Sequence, residues 1–316
     1  MSLAMLAPVI LPITRHDLPG ADHLYSLIVG QGCSKEERWQ KAGTRWATGK
    51  HHGYLMQLNL SDWMDRYTYF YGQFYEVGVQ LLFQKLVREG DHILDVGANT
   101  GMLSLLASKL VGEQGVVQSV EPNNDCCKRI EKQIAKNKIK NIQLHHIALA
   151  DSEGEATLKI VPRHSGFSTL SELNDDTPHE YAETENIQTI TGDCLLSSPT
   201  AQAAIPVSLI KMDIEGFEVN ALHGLGRTLV KDKPAVVTEV NPYCLQRAGT
   251  DAGELFALMH SHGYEGYLID THHKRWAKPQ LLLTPISQFS GEETHDVLWL
   301  HEDDAVNKSL TASCFQ

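Results

Sequence analysis

Short apolar segments alternate with longer amphipathic ones between residues 92 and 300, and this alternation limits the fold more than any other feature of the sequence. The apolar segments have the length of buried strands and lie at residues 92–96, 116–120, 142–149, 207–212, 235–240, 264–269 and 296–300. Between them, residues 102–111 and 124–137 carry apolar side chains every three or four positions, as amphipathic helices do. A further helix is predicted over residues 217–230, after the fourth core strand. Strands separated by helices of this length form a parallel sheet with helices on both faces. The sequence therefore predicts a doubly wound α/β fold.

The first 70 residues lack this alternation. For a chain of 316 residues, a prior of roughly 150 residues per domain gives about two domains, or one large domain with an appendage. We predict an N-terminal extension over residues 1–70, acting as an accessory segment or a lid, and a main α/β domain over residues 71–316. Residues 162–186 are polar and too long for a simple connection, so we expect a functional loop there.

The turn after the first core strand has the composition of a ligand-binding loop. It reads DVGANTG over residues 95–101 and supplies Asp95, Gly97, Asn99 and Gly101. In a doubly wound sheet this turn lies at the topological switch point, where ligands bind, and the following helix presents free N–H groups. Glu121 ends the second strand, where an acid typically accepts hydrogen bonds from both ribose hydroxyls. These residues predict a site for a ligand that contains adenosine.

The same loop favours one adenosine cofactor over another. A dinucleotide fingerprint needs a second glycine two positions after Gly97, because the pyrophosphate approaches the backbone closely there. Asn99 occupies that position and leaves less room. Asp95 also suits an α-amino group better than a pyrophosphate. Both departures favour S-adenosylmethionine over NAD.

A second group of acidic residues follows the fourth core strand. Residues 211–218 read KMDIEGFE, so Asp213 and Glu215 emerge where this strand opens toward the predicted ligand crevice. They either cap the next helix and complement its dipole, or bind the acceptor, act as a general base or ligate a metal. Glu239, at the end of the fifth strand, is a third candidate, and His164 in the polar loop is a weaker fourth.

Taken together, these motifs resemble the FkbM family of S-adenosylmethionine-dependent methyltransferases. The matching segments lie in family order at residues 95–101 (DVGANTG), 120–123 (VEPN), 148–151 (ALAD), 211–216 (KMDIEG), 238–240 (TEV) and 297–300 (VLWL), and the resemblance covers about three quarters of the chain, from about residue 71 onwards. It implies a Rossmann-like class I methyltransferase sheet of seven strands with the last one antiparallel. It also implies O-methylation of sugar or natural-product hydroxyls, and Ala148 joins the candidate cofactor-binding residues.

Transfer of a methyl group to an aliphatic hydroxyl requires a group that activates this weak nucleophile. Asp213, Glu215 and Glu239 are the candidates for a general base, and a carboxylate in that role needs a raised pKa. The same three acids also suit a divalent cation through oxygen ligands, although the sequence has no established metal-binding motif. The chain has 16 histidines, and none has the spacing of an HExxH-type site, so metal binding by histidine is not expected.

Charge and cysteine usage limit the partners and the compartment. A net charge of −12 argues against a nucleic-acid or anionic-membrane partner, because both would be repelled. The six cysteines form no CxxC pair, which favours reduced thiols in a cytoplasmic protein. We therefore expect a small-molecule or saccharide acceptor. The alternatives are a NAD(P)-dependent oxidoreductase with a Rossmann-like fold and a catalytically silent protein that uses the methyltransferase fold for interactions.

Overall fold

The structure is a computed structural model that describes residues 7–32, 34–161, 166, 168–171, 183–197, 205–272, 279–289 and 291–314. Its helices are α1 (Ala7–Arg15), α2 (Ala21–Ile28), α3 (Trp63–Tyr71), α4 (Val77–Leu86), α5 (Met102–Val111), α6 (Asn124–Asn137), α7 (Gly192–Ser197), α8 (Glu218–His223), α9 (Gly226–Lys231), α10 (Pro242–Arg247), α11 (Ala252–Ser261) and α12 (Ala305–Thr311). Its strands are β1 (Thr44–Thr48), β2 (Leu55–Asn59), β3 (His92–Val96), β4 (Val116–Val120), β5 (Ile142–His145), β6 (Ala148–Leu149), β7 (Gly154–Ile160), β8 (Glu183–Ile190), β9 (Val207–Met212), β10 (Ala235–Val240), β11 (Tyr264–His272), β12 (Gln280–Ile286) and β13 (His295–His301). His164 and most of the predicted loop at residues 162–186 lie outside the described residues.

The main sheet confirms the predicted fold class. Its strand order is β12-β11-β13-β10-β9-β3-β4-β5, and β5, β4, β3, β9 and β10 run parallel to one another. β13 pairs antiparallel with both of its neighbours, as the family resemblance implies for the last strand. The sheet therefore has the Rossmann-like architecture of a class I methyltransferase.

Three details of the predicted elements were wrong. The sheet has eight strands rather than seven, because β12 adds to the outer side of β11; it contains Pro285, which a sheet tolerates at its edge. The predicted strand at residues 142–149 divides into β5 in the main sheet and β6 in a small sheet with β7 and β8. The predicted helix at residues 217–230 is broken into α8 and α9 near Gly224, where an added Cβ would lie 2.1 Å from the Ala150 carbonyl oxygen.

Hydrophobic residues cover both faces of the main sheet. Ile93 and Leu94 are neighbours on β3, yet they belong to two different hydrophobic clusters, because successive side chains of a strand point to opposite faces. Leu82 of α4 and Leu106 of α5 pack in the first cluster, and Leu222 of α8 packs in the second. Among the described residues, no helix has both the length and the apolar character needed to cross a membrane.

Part of the N-terminal region forms a separate hydrophobic cluster and is attached to α6, whereas Met56 and Leu58 of β2 pack in the first cluster beside the main sheet. Ile10, Tyr25, Trp39 and Phe70 are buried together in the N-terminal cluster. Two main-chain N–H groups of β2 donate to α6 side chains, from Leu55 to Asn137 at 2.7 Å and from Gln57 to Gln133 at 2.9 Å. Asp65 of α3 and Arg129 of α6 form a largely buried ion pair at 2.6 Å. These contacts fix the position of α3 relative to α6 and the loop that precedes α5.

Candidate active site

The loop between β3 and α5 packs directly against the segment that follows β9. Gly97 has φ of +75°, and an added Cβ would lie 1.9 Å from the Asp213 carbonyl oxygen. The Gly101 conformation is also left-handed, with φ of +80°, and its Cβ direction faces Ile130 of α6. The sequence argument assigned these glycines to close approach of a ligand, and in the structure they also allow the two loops and α6 to pack closely.

Glu121 holds this loop to the start of α6. Its Oε2 accepts a hydrogen bond from the Asn99 main-chain N–H at 2.6 Å, and its Oε1 accepts one from the Asn123 main-chain N–H at 2.8 Å. Burial raises the pKa of Glu121 to about 7, and these two hydrogen bonds oppose the increase. Each carboxylate oxygen retains a second lone pair, so Glu121 is able to accept further hydrogen bonds from a ligand.

A small cavity of about 70 Å³ lies beside Glu121 at the carboxyl ends of β3 and β4. Four predicted cofactor-binding residues line this cavity, namely Gly97, Asn99, Glu121 and Ala148. Gly101, also predicted to bind the cofactor, does not line this cavity and faces Ile130 of α6 instead. The sequence motifs that were widely separated along the chain therefore meet at one end of the sheet.

Asp95 lies in a different place from the one that the sequence suggested. Its side chain is fully buried and accepts a hydrogen bond from Ser104 of α5, whose hydroxyl lies 2.7 Å from that of Ser119. Alternation along β3 explains the difference, because it directs residue 95 to the face that α5 covers. Burial raises the pKa of Asp95. Asp95 is therefore placed beneath the loop, and it does not itself line either cavity.

A larger cavity of about 330 Å³ adjoins the first one. The two share lining from Gly97, Asn99, Asp213 and Glu215, so they adjoin across these residues. Aromatic side chains form much of the wall of the larger cavity, namely Trp63, Phe74, Tyr75 and Tyr243. Other aromatic residues of the same region, Tyr67, Phe70 and Tyr71, pack in the N-terminal hydrophobic cluster. The aromatic residues between Trp63 and Tyr75 therefore have two roles. Some pack in the N-terminal hydrophobic cluster, and others form the wall of the larger cavity.

The three candidate catalytic acids converge in the larger cavity. Asp213, Glu215 and Glu239 each offer a carboxylate oxygen, and these three oxygens lie within 4.8 Å of one another. Glu215 has a left-handed conformation with φ of +55°, and its Oε2 accepts a hydrogen bond from the Cys244 thiol at 3.1 Å. Asp213 Oδ2 lies 3.4 Å from the ammonium group of Lys211. The predicted proximity of these acids is therefore present in the structure.

The structural role considered for Asp213 and Glu215 belongs to another acid. Glu218 is buried, and its Oε1 accepts hydrogen bonds from the main-chain N–H groups of Ile214 at 3.0 Å and Gly216 at 3.4 Å. Sequence reasoning missed this residue, although it lies in the same acidic motif, four positions after Ile214. Because Glu218 stabilises the turn, the side chains of Asp213 and Glu215 are directed into the cavity instead.

Burial and repulsion between carboxylates raise the pKa values of Glu215 and Glu239. Burial, followed by the charge of Asp213, raises the pKa of Glu215 to about 8 and raises that of Glu239 well above its usual range. Lys211 lies beneath the loop and donates to the Gly97 carbonyl at 3.2 Å; burial alone would lower its pKa, but the surrounding carboxylates raise it.

Two further acids near Lys211 were missed by the sequence reasoning. The pKa of Glu76 is raised to about 8 and that of Asp296 to about 7, and burial is the largest cause of both shifts. Glu76 precedes α4, and Asp296 lies on β13, opposite Glu239 of β10. Neither lies in a motif of the cofactor loop. Their proximity depends on strand order, which no local pattern reveals.

Comparisons with known proteins find one family and several solved structures to which this chain is similar. Residues 95–265 match the sequence model of the family described as the methyltransferase FkbM domain. No curated protein matches the chain. Among solved structures, the FkbM methyltransferase from Methylobacillus flagellatus is 16% identical with a TM-score of 0.40; the match covers 69% of this chain and 49% of that one, about half its length. Precorrin-6y C5,15-methyltransferase from Geobacter metallireducens is 14% identical with a TM-score of 0.39, over 71% of this chain and 88% of that one. A SAM-dependent O-methyltransferase from Thermotoga maritima is 12% identical with a TM-score of 0.38, and the match covers 72% of this chain and 65% of that one.

The family match extends from Asp95 to Glu265 and covers more than half of the chain. It includes the loop after β3, Glu121 and all three acids of the larger cavity. The strand order and the antiparallel β13 agree with the fold that the motifs imply. The chain therefore belongs to the FkbM family of S-adenosylmethionine-dependent methyltransferases.

Proposed function

We propose that this protein transfers the methyl group of S-adenosylmethionine to a hydroxyl oxygen of a small-molecule or saccharide acceptor. The observation that carries this proposal is the convergence of Asp213, Glu215 and Glu239 in an aromatic-walled cavity that adjoins the predicted cofactor cavity. Family membership decides against the alternative of a nicotinamide-dependent oxidoreductase.

The lining of the smaller cavity suits the nucleoside part of the cofactor, although this cavity, at about 70 Å³, would have to widen to admit it. Glu121 supplies a buried carboxylate for the two ribose hydroxyls, and Ala148 and Leu149 supply apolar surface for the base. Asn99 and Gly97 lie at the junction of the two cavities, where the methionine part would turn toward the acceptor. This placement directs the sulfonium methyl group toward the acids of the larger cavity.

Methyl transfer from a sulfonium is an in-line displacement. The C–S bond breaks as the C–O bond forms, the electron pair of the broken bond stays on sulfur, and the hydroxyl proton passes to a carboxylate. Alignment of the two reactants supplies much of the acceleration, worth roughly 7–11 kcal/mol in well-oriented reactions. The raised pKa of Glu215, about 8, makes a carboxylate in this cluster a far better proton acceptor than an exposed one.

The walls of the larger cavity indicate what the acceptor looks like. Trp63, Tyr75 and Tyr243 offer flat apolar faces, against which a sugar ring or an aromatic ring would pack. The net charge of −12 supports a small acceptor over a nucleic acid. The described cysteines, Cys126, Cys127, Cys194, Cys244 and Cys314, are free thiols, which supports the cytoplasm as the compartment.

A labelled-methyl assay tests the proposal. S-adenosylmethionine with a labelled methyl group is offered with neutral sugars, phenols and amines, and label is expected in an ether product of a hydroxylated acceptor. Asp213→Asn is expected to keep its affinity for S-adenosylhomocysteine and to lose about 10²–10⁴-fold in turnover, the usual contribution of acid–base catalysis. Asp151→Asn, in an exposed turn, is the matched control and should behave as the unchanged protein.

Two outcomes would contradict the proposal. Label found only on nitrogen would refute hydroxyl methylation, and stabilisation by neither S-adenosylhomocysteine nor NADH in a thermal shift assay would indicate the silent interaction protein. Full turnover in Asp213→Asn would show that this acid has a structural role only.

A further inference from the structure

We propose that Asp213, Glu215 and Glu239 together bind one divalent cation of the Mg²⁺ or Mn²⁺ type, which in turn binds the acceptor hydroxyl. The use of the cation in catalysis rests on the function proposed above, whereas the cation site itself does not. Asp213 and Glu215 follow the carboxyl end of β9, and Glu239 lies near the carboxyl end of β10. These two strands are parallel neighbours that pair up to Met212 and Thr238.

The distances among the three carboxylates suit a single ion. Their nearest oxygens all lie within 4.8 Å of one another. Oxygen ligands bind Mg²⁺ at about 2.1 Å and Ca²⁺ at up to about 2.6 Å, so two ligands on opposite sides of an ion are separated by about 4–5 Å. The three oxygens are therefore close enough to share one cation after small rotations of their side chains.

A separate observation at Glu239 also indicates a missing positive partner. Its Oε2 is shielded from solvent and accepts no hydrogen bond from any described residue. A buried acceptor without a partner costs about 1–3 kcal/mol, and more when it is charged, so native structures rarely keep one without a reason. A cation between Glu239 and its two neighbours would supply the partner.

The positive side chains of the site do not replace such an ion. Lys211 contacts Asp213 at 3.4 Å and donates to the Gly97 carbonyl at 3.2 Å, so it lies on the side of Asp213 that faces the loop. Arg247 lowers the pKa of Glu215, but its guanidinium lies over the Tyr243 ring at 5.7 Å. Glu76 and Asp296 add two more carboxyl groups around Lys211, so acidic groups outnumber basic ones.

The cation would give the acids a defined part in the reaction. It would polarise the acceptor hydroxyl and lower the pKa of that group. The hydroxyl proton would pass to a carboxylate oxygen of the cluster that does not ligate the ion, the oxygen would form its bond to the methyl carbon, and the electron pair of the C–S bond would remain on sulfur. The aromatic walls would restrict competing water.

Binding of Mn²⁺, measured by its electron paramagnetic resonance signal after the protein has been treated with a chelator, tests the site without any acceptor. One Mn²⁺ per chain is expected, and Glu239→Gln should weaken its affinity at least tenfold. Glu131→Gln is the matched control, because this glutamate is exposed on α6 outside both cavities, and it should leave the affinity unchanged. Unchanged affinity of each variant for S-adenosylhomocysteine shows that it is folded.

The outcomes separate the two proposals. Absence of Mn²⁺ binding up to about 1 mM, the weak limit of protein sites for divalent cations, would overturn the cation site. Equal affinity in Glu239→Gln and Glu131→Gln would overturn it as well. Mn²⁺ binding that depends on Glu239, in a protein that methylates no hydroxyl, would support the site and refute the proposed function. Turnover that withstands a chelator but needs Asp213 would refute the cation and support the general base.

Discussion

Replacing Gly97 with alanine tests whether the loop after β3 is held by contact with the end of β9. The residue has φ of +75°, and an added Cβ would lie 1.9 Å from the Asp213 carbonyl oxygen. The left-handed conformation costs an alanine roughly 1–2 kcal/mol. Forcing a methyl group against a backbone atom costs about 1–3 kcal/mol more, because neither loop is able to move independently.

Gly90→Ala separates these two costs. Gly90 also has a left-handed conformation, with φ of +88°, but no atom lies within 4 Å of the position of its Cβ. Both substitutions remove the same freedom from the unfolded chain, so the comparison cancels that effect. We expect Gly97→Ala to lower the free energy of unfolding by about 2 kcal/mol more than Gly90→Ala does.

Urea denaturation, followed by circular dichroism, measures this difference. The displacement of Asp213 should also reduce turnover in Gly97→Ala, whereas Gly90→Ala should keep the activity of the unchanged protein. Free energies of unfolding that differ by less than about 0.5 kcal/mol between the two variants, at equal denaturant slope, would refute the close packing of these two loops.

Three more predictions follow from the contacts around the site. Glu121→Ala should weaken binding of S-adenosylhomocysteine at least tenfold in calorimetry, because each hydrogen bond to a charged acceptor is worth about 1.5–3 kcal/mol; unchanged affinity would remove Glu121 from the cofactor site. Glu215 has a folded pKa of about 8, above its ordinary value of 4.5, so its contribution to stability is complete below about pH 4 and is lost as the pH rises toward 8. Urea midpoints between pH 5 and pH 8 should therefore fall less in Glu215→Gln than in the unchanged protein, and parallel pH profiles would contradict the raised pKa. Asp65→Ala removes the buried partner of Arg129 and should lower the free energy of unfolding in urea by about 3–5 kcal/mol. Asp125→Ala, which removes an exposed pair with Lys128, should lower it by less than about 1 kcal/mol. Equal losses would show that the Asp65 pair contributes no more than a surface contact.

The sequence predicted the central strands well, for a physical reason. β3, β4, β9 and β10 are buried on both faces, so each consists mainly of apolar residues, and charged residues, glycine or proline lie close to its limits. The edge strand β12 is less distinct, because proline lies both before it, at Pro279, and within it, at Pro285, and because most of its residues are at least partly exposed. Local pattern therefore defined the centre of the sheet better than its edge.

The candidate site was predicted in part for a related reason. Glu121, Asp213 and Glu239 end strands, and parallel strands bring their carboxyl ends to one edge of the sheet. The place of Asp95 depends on which face of β3 it occupies, and the role of Glu218 depends on the shape of a turn. These details arise from tertiary packing, which short motifs do not encode.

The walls of the larger cavity have two separate origins along the chain. Trp63 and Met64 come from α3, which is fastened to α6 by Asp65 and Arg129, whereas Tyr243 and Arg247 come from α10, beyond the fifth parallel strand. Under the proposed function, substitutions in the segment before α4 would therefore change acceptor preference from one side of this cavity and leave the wall contributed by α10 in place. Because α3 is attached to α6, such changes would have to preserve the contact between Asp65 and Arg129.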